Sequence, residues 1–177
     1  MEQLEPTLAA RLAPRVARLG YLGEFFKCAG HQPGALKAFV DFTEESKKGL
    51  PEKLVEVVAL SAALKLGNAY ERNQHERLCV RRGFAKDWIV AVETLDPDGA
   101  PGLSDGERAV QRYVLRALED MGRGAAAALE EVVEALGPEA AIAVMMVLGR
   151  CAVHGLIVNS LELAPPVPSI FEDGFEA

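Results

Sequence analysis

The chain has 177 residues, a formal net charge of −7 and 50% hydrophobic residues, with a pI near 5.1. That length suits one domain with a substantial core, and the apolar content excludes a disordered or fibrous chain. The acidic balance offers no attraction to nucleic acid or to an anionic membrane, so neither is expected as a partner.

Met1-Glu2-Gln3-Leu4-Glu5-Pro6 lacks the cationic-then-apolar order of a signal peptide. From Thr7 to Gly20, apolar and basic residues alternate with helical spacing, and Pro14 is expected to break or kink that helix. Tyr21 to Cys28 is short, aromatic and apolar, and Gly30-His31-Gln32-Pro33-Gly34 reads as a turn with His31 exposed. Leu36, Phe39, Val40 and Phe42 place an amphipathic helix over Ala35 to Lys48, closed by Gly49.

Pro51 is expected in the first turn of the next helix, which runs to Leu66 and is apolar nearly all round. Gly67 interrupts it, and a further helix continues to Arg82 before Gly83. Ala85 to Leu95 is helical around Trp88, Ile89 and Val92, and residues 96–102 form a loop. Ser104 with Glu107 three residues later is a capping box opening a helix to Glu119. Ala125 to Leu136 and Pro138 to Leu163 are the last helices, with Gly149 and Gly155 as expected kinks. The most apolar run, Ala140 to Gly149, is too short to span a bilayer before Arg150. Residues 164–177 read as a Pro-rich, acidic tail lying on a neighbour or mobile.

No stretch alternates with period two, so the predicted fold is all-α: one domain with a core over 35–163 and about seven or eight helices. Cys28, Cys79 and Cys151 are odd in number, far apart and form no CxxC. A reducing, cytoplasmic setting is expected from this, with Cys79 and Cys151 as buried small hydrophobes.

Convergent polar chemistry is confined to Gly67-Asn68-Ala69-Tyr70-Glu71-Arg72-Asn73-Gln74-His75. Glu71 and His75 share a helix face one turn apart, and Asn68 lies three residues before Glu71. Glu56, among valines on the preceding helix, needs a partner: His75, or a Lys or Arg. Asn68-x-x-Glu71 reads equally as N-cap and N3 of a capping box. Arg150 and His154 are a second i,i+4 pair, read as a core or interface pair. There is no HExxH, Cys/His cluster, glycine-rich phosphate loop or dinucleotide fingerprint, so no metal and no cofactor is expected.

The spacing of Glu56, Asn68, Glu71 and His75 resembles the carboxymuconolactone decarboxylase and alkylhydroperoxidase D-like superfamily. There, redox members carry a Glu, a CxxC and a His four residues past the second Cys. Asn68 and Glu71 stand at the two cysteine positions, and lesser likenesses occur around Phe25-Phe26, Ala38-Phe39, Leu50-Pro51-Glu52 and Leu103-Ser104. The resemblance implies a homo-oligomeric helical bundle, from dimer to hexamer. It also implies a small carboxylate or lactone as ligand, with His75, Glu71 and Glu56 as catalytic residues; Asn68, Tyr70 and Gln74 are the candidate binding residues, Tyr70 and Gln74 reading equally as interface residues. Decarboxylation by proton transfer through His75 is the leading expectation. An antioxidant thiol peroxidase is opposed by Asn68 and Glu71, and a non-catalytic oligomeric binding protein stands beside both.

Overall fold

The computed structural model describes residues 4–172, apart from the Arg18 side chain. Among these residues are nine helices in one all-α domain: α1 (Pro6–Leu19), α2 (Glu24–Ala29), α3 (Pro33–Lys47), α4 (Glu52–Lys65), α5 (Ala69–Arg81), α6 (Lys86–Glu93), α7 (Asp105–Glu119), α8 (Ala126–Leu136) and α9 (Pro138–Ser160). The helix beyond the expected seven or eight is the six-residue α2.

Helix α4 is the strut of the bundle. Its residues from Leu54 to Ala63 are all buried, because α5, α6, α7 and α9 pack around it. An apolar surface on all sides therefore finds its cover within one chain. Helix α7 opens on the expected box: Ser104 Oγ accepts from the Glu107 N–H, and Glu107 reaches back to the Ser104 N–H at 2.7 Å. A second, smaller core joins Leu8, Leu12, Phe25, Leu36 and Val40 to Tyr70 and Val158. It seats α1–α3 against α5 and α9.

One local expectation is corrected, at Pro51, and neither Pro14 nor the α9 glycines end their helices. Pro14 stands on the exposed face of α1 without ending it, because Leu8 and Leu12 anchor that helix by its other face. Pro51 is the N-cap of α4 rather than a first-turn residue, with φ −54° and ψ 144°. Helix α9 runs unbroken through Gly149 and Gly155. At Gly155 a Cβ would lie 3.1 Å from the Leu66 side chain, so the glycine serves close approach to the α4–α5 corner.

At 23 residues, with a mean hydropathy of 2.0 in its most apolar window, α9 has the length and composition of a membrane span. About half of that window is buried in the bundle, and Arg150 within the helix is ion-paired to α5. The tail, up to residue 172, lies on its own chain rather than on a neighbour. Asn73 donates to Val167 O at 3.0 Å, and Ser169 and the Ile170 N–H both donate to Glu76. Residues 173–177 of the expected tail, and Met1 to Gln3, fall outside the described residues.

Candidate functional site

The corner between α4 and α5 sets the geometry. Gly67 takes φ 66°, which lets the Asn68 N–H bond back to Ala63 O at 2.7 Å. Asn68 is thereby the N-cap of α5, and its Oδ1 accepts from the Glu71 N–H at 3.0 Å. Only that half of the expected capping box forms. The Glu71 carboxylate turns into the bundle, where Arg150 pairs with its Oε1 and His154 Nδ1 lies 3.2 Å from its Oε2. A fixed guanidinium is a stronger attraction for a buried carboxylate than one more backbone donor.

One turn along α5, His75 is held from both sides. Its Nδ1 lies 2.6 Å from Glu56 Oε2 and its Nε2 lies 3.4 Å from Glu71 Oε1. The other oxygen of Glu56 accepts from Arg82 at 2.7 Å, so both partners proposed for this carboxylate are present. Burial would lower the His75 pKa, but the Glu56 and Glu71 carboxylates outweigh it and hold it above 6.5. Burial would likewise raise both carboxylates. His75 and Arg82 hold Glu56 below 4.5, and Arg150 and His154 hold Glu71 well below it. His75 thus stands between two carboxylates: Nδ1 is held closely by Glu56, and the longer Nε2 contact is the looser one.

Arg150 and His154 do not pair with each other along α9. They converge on Glu71 from one face, and the His154 ring stacks on Phe25 with centroids 4.3 Å apart. Asn68 Nδ2 lies 3.2 Å from His154 Nδ1, which ties the α5 cap to α9. The Nε of Arg150 is buried with no hydrogen-bond partner among the described residues.

A cavity of about 80 Å³ opens beside this cluster. Tyr70, Glu71, Gln74 and His75 line one side, Arg150 and His154 a second, and Arg15, Phe25, Phe26, Phe39 and Lys47 from α1–α3 close it. Four of the residues expected at a site thus reach the cavity. Glu56 stands behind His75, while Asn68 is buried and lines no part of it. Gln74 donates to Tyr70 O at 2.9 Å, and the Tyr70 hydroxyl accepts from the Phe25 N–H at 3.4 Å. Burial pushes the Tyr70 phenol up to about 12.

Arg15, Lys47, Phe25, Arg150 and His154 were not foreseen as cavity residues. The signal for the α9 pair was an Arg and a His one turn apart inside an apolar helix. Arg15 and Lys47 carry no such local signature. With Arg15, Lys47 and Arg150 on the lining and Glu71 the single carboxylate there, the wall carries excess positive charge. No cysteine lines the cavity, although Cys79 Sγ donates to Glu56 Oε2 at 3.7 Å behind His75. Cys79 and Cys151 are buried, and burial raises the pKa of both, Cys151 to about 12. Among the described residues, no group of three or more His, Cys, Asp or Glu side chains has the geometry to hold a metal ion.

Residues 33–112 match the carboxymuconolactone decarboxylase family model, a segment that includes Lys47, Glu56, Asn68, Glu71 and His75. Among solved structures, the chain is similar to the debrominase Bmp8 without ligand (TM-score 0.76, 17% identity, covering 93% of this chain and 91% of that one). It is similar also to an alanine variant of that debrominase in complex with 2,3,4-tribromopyrrole (TM-score 0.74, 16% identity, 92% and 89% covered). A third is an Agrobacterium tumefaciens protein of unknown function named after the antioxidant defence protein AhpD (TM-score 0.69, 18% identity, 81% and 97% covered). At these identities the likeness establishes the fold. No curated protein matches the chain.

Proposed function

We propose that this chain, a member of the carboxymuconolactone decarboxylase family with an alkylhydroperoxidase D-like fold, binds a small carboxylate or lactone beside His75 and catalyses non-redox proton transfer to its carbon as carbon dioxide leaves. The observation that carries this reading is His75, clamped by Glu56 on the wall of a small cavity with excess positive charge. Arg150, whose Nε lacks a protein partner, supplies a fixed cation for a ligand carboxylate.

In the forward step the bond to the departing carboxylate breaks and leaves its electron pair on carbon. His75 Nε2–H then delivers the proton, and Nδ1–H remains on Glu56 so that the ring does not rotate during transfer. Glu71 is too strongly ionised to be the base. Its role is to hold Arg150, His154 and His75 in register. Homo-oligomeric assembly and a reducing, cytoplasmic setting belong to the same reading, the latter favoured by three free cysteines.

Thiol peroxidase chemistry is disfavoured because no cysteine stands on the cavity wall. The experiment is carbon dioxide release from a panel of small oxo and lactone carboxylates by wild type and His75→Ala. Release that requires His75 supports the proposal. Binding without release, equal in both proteins, would favour the non-catalytic binding protein.

A further inference from the structure

Lys47 ends α3 and is half-buried between two spaces. On one side it lines the cavity with His75 and Arg150, and on the other a shallow groove with Leu50, Val55 and Arg82. Among the described residues its Nζ makes no hydrogen bond or ion pair, whereas the neighbouring Lys48 is paired with Glu45 at 2.7 Å. The other cations of the wall are engaged: Arg150 with Glu71, His75 with Glu56, and Arg15 with Glu44 at 3.7 Å. The groups acting on Lys47 are Arg150 from α9, Glu56 from α4, Arg15 from α1 and Glu71 from α5. Burial, then Arg150, lower its pKa to about 8, and the two carboxylates only partly oppose them. A half-buried, unpaired amine beside a fixed cation has the environment of a carbonyl-attacking lysine rather than that of a salt-bridging one.

We propose that Lys47 is a catalytic nucleophile whose Nζ condenses with the ketone of a β-oxo carboxylate in the cavity, so that decarboxylation proceeds through an imine. This rests on the proton-transfer reading of His75 and adds to it an electron sink. The neutral amine adds to the carbonyl carbon, and water leaves to give a protonated imine. The electron pair of the carbon–carboxylate bond moves into that imine, releasing carbon dioxide and leaving an enamine. His75 Nε2–H protonates the enamine carbon, and water hydrolyses the resulting imine to ketone and free amine. One water is released and one consumed, the proton taken up in forming the protonated imine is returned on its hydrolysis, and one proton from solvent restores His75. No oxidant or reductant takes part. Arg150, which cannot lose its charge, is left to hold the carboxylate until it departs.

The test uses the intact protein with acetoacetate as probe and cyanoborohydride to reduce any imine to a stable secondary amine, followed by peptide mass spectrometry. Near pH 8 the label should accumulate on Lys47 at least about tenfold faster than on exposed Lys48 or Lys37, since an ordinary lysine is almost wholly protonated there. The Lys47 labelling rate should rise with pH and level off above about 8. Lys47→Arg should remove this label and carbon dioxide release with the fold intact by circular dichroism. His75→Ala should keep the label while losing release. Labelling of Lys47 no faster than of Lys48, or none, overturns the imine. If His75→Ala still abolishes release in that case, proton transfer stands without Lys47.

Discussion

His75 Nδ1 lies 2.6 Å from Oε2 of Glu56, a buried contact between two consecutive helices of the chain. It fixes which imidazole nitrogen is committed to the protein and leaves Nε2, 3.4 Å from Glu71, as the one able to serve a ligand. Glu56→Gln should therefore lower the His75 pKa, read by imidazole proton resonances, and destabilise the protein by about 1–3 kcal/mol. A His75 titration unmoved by this substitution would contradict the pairing.

Glu71 and Asn68 separate the charge cluster from the helix cap. Asn68→Ala removes the cap acceptor and the amide contacts to Glu71 and His154, and should cost about 1–2 kcal/mol. Glu71→Gln keeps the cap hydrogen bond but leaves Arg150 buried without its carboxylate, which should cost about 3–5 kcal/mol in denaturant unfolding. Equal small effects would return Glu71 to the role of a cap residue.

The same groups set the dependence of stability on pH. Glu56 and Glu71 have folded pKa values below 4.5, so their contribution is complete above about 4.5 and is lost as pH falls through the folded values. His75 runs the other way. Its folded pKa lies above 6.5, so its contribution is complete below about 6.5 and is lost as pH rises through the folded value. Denaturation midpoints measured across pH should fall on the alkaline side, and the part of that fall due to His75 should disappear in His75→Gln, leaving the part due to Glu93, whose pKa is raised to about 7.

The sequence made part of this site legible and concealed the rest for physical reasons. Glu71 and His75 are joined by helix periodicity, and Glu56 stood out because a charge among valines must be paired. Arg15, Lys47 and Arg150 reach the cavity from α1, α3 and α9, and no local spacing encodes a meeting of such distant elements. The Asn68–Glu71 spacing pointed to a reciprocal cap. The long-range pull of Arg150 on the carboxylate, invisible in a local pattern, left it half-formed. Similarly, the apolar surface of α4 marked it as buried, but composition does not distinguish cover by α7 and α9 from cover by a second subunit.

Assembly is the proposal that α9, rather than α4, carries. Ile142, Met146, Val153 and Leu156 remain 47–70% exposed and fall on one stripe of the helix. Light scattering at micromolar concentration should give at least a dimer, and Val153→Glu with Leu156→Lys should shift it toward monomer. A wild-type monomer would refute this.

Peroxide chemistry should be absent. With Cys79 and Cys151 buried and their thiol pKa values raised, hydroperoxide with a dithiol reductant should not be turned over. Turnover that vanishes in Cys79→Ser or Cys151→Ser would mean that one of these thiols works as a nucleophile after all.

The central claim is that His75 delivers a proton from the cavity wall. Its most direct measurement is the rate of carbon dioxide release from a small β-oxo carboxylate by wild type and His75→Gln at matched folded fractions. Loss of general acid catalysis predicts a fall of about 10²–10⁴-fold in kcat, with the variant still binding the carboxylate through Arg150. Release by His75→Gln at the wild-type rate would contradict the account.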